Sequence, residues 1–158
     1  MATEDTVDLS DSHAPHQASL DAFSSILEDV KAELIKLRRD HDKHEAEYFA
    51  RVRHLSDAQL TSFSASDLEL VRVATSAYGI HLFGKVKLRA LDDGDDNGGG
   101  YIHIRIFGAA KEGTDGSSAD ERVYSLHSIH TEEVVKEDGD RVYRAVFGKE
   151  DALEWFDT

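Results

Sequence analysis

His41 and His44 stand three residues apart, with Asp40, Glu45 and Glu47 close by in the chain. On a helix this spacing sets both imidazoles on one face. With a carboxylate they form three of the four ligands of a tetrahedral zinc site. The same pair would repel on protonation near pH 6. The plainer reading, and the preferred one, is two partly exposed seam residues near the end of a pairing segment. The order His-Asp-Lys-His-Glu is not the H-E-x-x-H of a metalloprotease. A second candidate is the run Asp93-Gly94-Asp95-Asp96-Asn97-Gly98, which matches the opening D-x-D-x-N-G of a calcium loop through Asp93, Asp95 and Asn97. Beyond it the pattern lapses, with Gly100 at the apolar position and Ile104 at the bidentate glutamate. An ordinary Asp/Gly hairpin loop explains it as readily. The third candidate is cationic. Lys85, Lys87 and Arg89 alternate along one predicted strand, and His103 and Arg105 along the next. Paired, they set a basic strip on one sheet face. Such a strip suits an acidic protein segment, or is neutralised across the strands by acids such as Glu132 and Glu133.

Little else in the chain carries chemistry. There is no cysteine, so thiol catalysis, disulfides and cysteine-zinc sites are excluded. No G-x-S-x-G, G-x-G-x-x-G or phosphate-loop pattern occurs. The net charge of −14 sets the global field against nucleic acid and anionic membrane. The first twelve residues lack a basic and apolar signal pattern, and no run is apolar for the ~20 residues needed to span a bilayer. The expectation is a non-enzymatic intracellular protein, cytoplasmic or nuclear, without cofactor, whose partner is another protein.

The elements that must position these groups divide the chain in three. Residues 1–19 are acidic, hold the only proline and predict a disordered tail. From 20 to 55 neither glycine nor proline interrupts the chain. Leu20, Phe23, Leu27, Val30, Leu34 and Leu37 step by three and four, the a/d spacing of a heptad, and His41, His44 and Tyr48 continue it. This predicts one amphipathic helix about 54 Å long and a coiled-coil seam. In a parallel homodimer Glu33 meets Arg38 favourably but Asp40 meets Glu45 unfavourably, which leaves room for a more basic partner helix. The off-seam Ile26, Ile35 and Phe49 widen the apolar face and suit packing of the helix on the chain's own sheet.

Residues 56–158 predict a small α+β head. Ser56-Asp57-Ala58-Gln59 and Ser66-Asp67-Leu68-Glu69 read as capping boxes, the second opening a helix that runs to Tyr78 and closes at Gly79. Alternating strands follow over 80–90, 101–107 and 123–130. Glu132–Glu137 and Arg141–Phe147 flank Asp138-Gly139, the signal of a two-residue hairpin. Lys149–Phe156 predicts a closing helix. The whole is an antiparallel meander of four or five strands with helices on one face.

A heptad helix, a strand opening at Ala77-Tyr78-Gly79-Ile80, a meander and a closing segment Lys149-Glu150-Asp151-Ala152-Leu153-Glu154-Trp155-Phe156 together resemble coiled-coil proteins with an RWD-type head, a plan found in kinetochore subunits. That resemblance implies an assembly protein that oligomerises through residues 20–55 and presents its head to a protein partner. The layout is also similar to a cystatin-like head, a helix laid across a four-stranded meander, although the Gln-x-Val-x-Gly loop is absent. That likeness implies a monomeric ligand-binding or inhibitor protein.

Overall fold

The structure, a computed structural model, describes residues 9–91, 100–118 and 121–157. It is α+β. Two helices, α1 (Gln17–Ser25) and α2 (Leu27–His44), are followed by a 3-10 segment (Ala46–Val52) and a single-turn helix α3 (Asp57–Leu60). Then come β1 (Leu68–Ser76), β2 (Gly79–Lys87), β3 (Tyr101–Ala110) and β4 (Arg122–Ile129), an antiparallel meander in the order β1-β2-β3-β4. A separate two-stranded ribbon pairs β5 (Glu132–Val135) with β6 (Arg141–Arg144).

The expected 36-residue rod is three pieces. The first break is at Ile26, whose backbone leaves helical geometry (φ −116°, ψ 10°). It follows Ser24 and Ser25, and the Ser25 hydroxyl donates to the Ala22 carbonyl, competing with the helix ladder. The second break is at Glu45, which is extended. There the chain turns to carry Phe49, Val52 and Leu55 into the core. Tertiary burial, not a breaker residue, ends both helices.

The heptad seam faces inward. Phe23, Val30 and Leu34 are each 0% exposed, and the off-seam Ile26 joins them. They pack on the face of the sheet formed by Val71, Leu82, Val86, Ile102, Ile104 and Ile106. Leu20, Leu27 and Leu37 are partly buried at the margin of this core. Among the described residues no coiled coil is shown. Arg38, almost fully buried, clamps the turn: its guanidinium donates to the Val52 (3.3 Å) and Leu55 (2.8 Å) carbonyls and pairs with Asp57. Helix and head, expected as separable, share one core.

Four further expectations are corrected. Residues 68–76 are a strand, not a helix. Val71, Val73 and Thr75 are β-branched, and the capping pair that does form is Ser64 with Asp67, which closes one 3-10 turn before β1. Only the earlier box is as expected, Ser56 and Gln59 exchanging both bonds. The Asp138-Gly139 hairpin is longer than two residues. Lys136 N–H donates to the Asp140 carbonyl (2.7 Å), and Gly139 takes φ +89°, so Gly139 supplies the left-handed position of a three-residue turn. Lys149–Phe156 forms no helix: a turn at Lys149 and Glu150, closed by Asp151 N–H on the Gly148 carbonyl (3.2 Å), leads into an irregular strap. At the other end, residues 9–13 of the expected disordered tail lie along β1, with Ser10 N–H on the Val73 carbonyl (2.9 Å) and a reciprocal pair between His13 and Val71 (3.0 and 2.8 Å).

The helix packing is tested by leucine truncation. Leu34→Ala should cost about 2–5 kcal/mol and Leu37→Ala about 1 kcal/mol or less, read from urea midpoints at two protein concentrations. Equal costs that shrink as concentration rises would instead place both leucines in an intermolecular seam.

Candidate functional site

The sequence pattern of β2 and β3 alternates, but burial does not. Both strands are buried almost without interruption, so the sheet is covered on both faces. The register sets Lys85 opposite His103, Phe83 opposite Arg105 and His81 opposite Phe107. These side chains share the face turned away from the helices. Lys85 is 2% exposed, Arg105 3% and His103 2%. The basic strip expected at Lys85 and Arg105 is therefore present but covered. Arg89 lies exposed beyond it and pairs with Asp67 (2.9 Å). Lys87 is half-buried at the end of β2.

What covers the strip is the chain's own acidic strap, residues 148–157. Lys85 Nζ donates to the Lys149 (2.8 Å) and Asp151 (2.6 Å) carbonyls. Arg72 Nη1 donates to the Leu153 carbonyl (2.8 Å) and Arg105 Nη1 to the Phe156 carbonyl (3.0 Å). Arg105 also reaches the Asp157 carboxylate (3.3 Å). Between these polar anchors Leu153 and Phe156 pack on Phe83, flanked by Leu9, Leu70 and Trp155. The Arg105 guanidinium lies over the Trp155 ring, 4.6 Å from its centroid. In a helix the Lys149 and Asp151 carbonyls would accept from residues four further on. Lys85 takes them instead, which leaves them unavailable to a helical ladder.

Two imidazoles on this face, those of His81 and His103, are held neutral. Burial, with the charge of Arg105 behind it, pushes His81 down to about 4. Burial, then Lys85 and His130, pushes His103 down to about 3. Burial likewise lowers Lys85 and Arg105, against the pull of nearby acids.

The helix side of the sheet offers a different feature. A groove of about 700 Å³ runs between α2 and β4, lined by Asp29, Glu33, Lys36 and Leu37 from the helix and by Leu126, His127 and Ile129 from the strand. Among the described residues β4 has no strand on its outer side, whereas the opposite edge, β1, is bridged by residues 9–13. Sequence reasoning missed this site. The alternation of β4 was legible; that it ends the sheet beside α2 was not.

The other candidates fare separately. His41 packs against Tyr48 with the rings tilted at 47° (4.2 Å between centroids), while His44 is exposed at the end of α2. Among the described residues no three side chains of ligating type converge on a metal position. Asp93, Asp95 and Asn97 lie outside the described residues. Comparison of the chain with protein-family models, with curated proteins and with solved structures finds no match.

The neutral imidazoles give stability a pH dependence of definite sign. In the unfolded chain His81 and His103 take up protons near 6.5; in the folded chain they resist until about 4 and about 3. Between those values the unfolded state binds more protons, so stability falls as pH falls from about 6.5. Urea midpoints at about pH 7.5 and 4.5 should differ accordingly, and His81→Gln should flatten the slope. A midpoint that holds across this range would mean that the imidazoles titrate freely in the fold.

Proposed function

We propose that this chain is a non-enzymatic protein-binding module that takes an extended, basic segment of a partner protein along β4, in the groove against α2. The observation that carries the reading is the pairing of an open strand edge with that groove. An edge strand presents unpaired N–H and C=O groups, and an added strand gains affinity from main-chain bonds and specificity from alternate side chains. The fold already uses this mode once, where residues 9–13 lie on β1. The opposite edge is available for the same purpose.

Charge sets the sign of the partner. The chain carries −14, and on the helical wall of the groove Asp29 and Glu33 outnumber Lys36. Leu37, Leu126 and Ile129 offer apolar surface between them. A segment that alternates lysine or arginine with apolar residues matches both. The expected heptad dimer is replaced in this reading, because the residues that would form its seam, Phe23, Val30 and Leu34, are buried against the sheet. What remains of the assembly reading is a protein partner, now met through β4. The adaptor role suggested by the RWD-type layout and the monomeric binding role of the cystatin-like layout both fit this mode.

An alternating lysine-valine decapeptide provides the test. Added to isotope-labelled protein, it should shift the amide resonances of residues 122–129 and of the exposed face of α2. The double variant Asp29→Lys/Glu33→Lys should weaken its binding about tenfold or more, and salt should do the same. Shifts confined to other surfaces, or affinity indifferent to the charge reversal, would refute the groove as the docking site. Self-association of the free protein through β4 would assign the edge to a second copy instead.

A further inference from the structure

The second half of the strap is held by side chains rather than by a ladder. Among the described residues, none of the N–H groups of residues 152–157 donates to a main-chain carbonyl. Its apolar anchors, Leu153 and Phe156, form with Phe83 a cluster of their own, apart from the main core. A segment with so few main-chain bonds can open locally while the sheet beneath it stays paired.

Arg105 is the hub of this half. Its Nη1 donates to the Phe156 carbonyl (3.0 Å) and to the Asp157 carboxylate (3.3 Å). The same carboxylate accepts from the Trp155 indole N–H (3.2 Å), and the Trp155 ring lies over the guanidinium. Nη2 turns the other way, to His81 Nδ1 at 3.1 Å. A guanidinium only donates, so His81 accepts at Nδ1 and carries its proton on Nε2, 3.3 Å from the Ser76 hydroxyl. The arrangement therefore exists only for the neutral ring. A second proton must go to the atom that Arg105 uses. It breaks that bond and sets an imidazolium against a guanidinium where water does not screen them, His81 being 5% and Arg105 3% exposed.

The groups around His81 give a proton no help. From β1 it meets the neutral Ser76, from β3 Arg105 and the Phe107 ring, and from the strap the Trp155 ring. The charges that bear on it are Arg105 and, from β4, His127, and both oppose protonation. Asp157 is 74% exposed and already shared by Arg105 and Trp155.

We propose that His81 is an acid-sensitive latch on the strap: its protonation through Nδ1 detaches residues 152–157 from the sheet, while the meander and the helix side stay folded, and uncovers Arg105, Arg72 and Phe83. Burial and Arg105 hold His81 down to about 4 with the strap closed. With the strap lifted, water reaches the ring and it returns towards 6.5, so the open form binds the extra proton. Opening therefore grows as pH falls, by up to about tenfold per pH unit between about 6.5 and 4. This is a local release, distinct from the fall in global stability described above. It is also independent of the function proposed for the α2–β4 groove.

Trp155 is the chain's only tryptophan, so its fluorescence reads the strap, while far-UV circular dichroism reads the helices and the sheet. In an acid titration of the full chain, the Trp155 transition should come at least about half a pH unit above the loss of the circular dichroism signal. His81→Gln keeps an acceptor for Arg105 but cannot titrate, and should move the Trp155 transition to lower pH by a similar amount. Coincident transitions in the unaltered chain would overturn the proposal, and that comparison does not depend on the variant. A Trp155 transition unmoved by His81→Gln would assign the release to the Asp157 carboxylate and overturn it too.

Discussion

Lys85 and Arg105, buried, and the half-buried Arg72 beside them need hydrogen-bond acceptors, and most of the architecture follows from where they find them. Taking a cation out of water costs several kcal/mol unless acceptors replace its hydration. Here the acceptors are main-chain carbonyls of residues 149–156. That choice forbids a helix in the same segment, because a carbonyl turned to Lys85 is lost to the helical ladder. It lays the strap across three strands, so that one short segment covers the whole width of the basic strip. It also places Leu153 and Phe156 over Phe83. Polar anchoring and apolar packing alternate along the strap, and removal of either leaves the other exposed.

The other face obeys a simpler rule. An amphipathic helix pair lies on an apolar sheet, and Arg38 fastens the chain that leaves α2 by taking the Val52 and Leu55 carbonyls. Both faces thus use one device. A buried arginine or lysine organises irregular backbone that no regular ladder can satisfy. Where the chain is regular, apolar burial suffices; where it is not, a cation stands behind it.

What could be read in the sequence follows from this division. The strands around 80–87, 101–107 and 123–130 were legible because their alternation has a period of two, and so was the α+β class. Residues 68–76 were misread, since a Ser-x-x-Glu spacing looks like a helix start whether or not a helix follows, and the β-branched residues behind it carried the better signal. The stripe from Leu20 to Leu37 was read correctly as apolar and wrongly as a single long rod with a coiled-coil seam. A three-four spacing is the same whether the facing surface is a second helix or the chain's own sheet, and only the off-seam Ile26, Ile35 and Phe49 distinguish them. Lys85 and Arg105 were picked out by type and spacing, but alternating cations normally mean a solvated face. That the covering segment lies in the same chain, and that it is acidic, could be seen only once the strap was in place. The groove beside β4 depends on strand order, which no local pattern encodes.

The strap has a consequence for the order in which the molecule is made. Lys85 lies 64 residues before the Lys149 carbonyl that it binds, and Arg105 lies 51 before that of Phe156. At a synthesis rate of about 5–20 residues per second, the basic strip of β2 leaves the ribosome roughly 3–13 s ahead of its cover. Through that interval the nascent chain presents cations without acceptors, next to the polyanionic surface of the ribosome itself. This face of the sheet can therefore close only after the strap has been made, while the part of the helix-side core from Phe23 to Ile106 is free to assemble earlier.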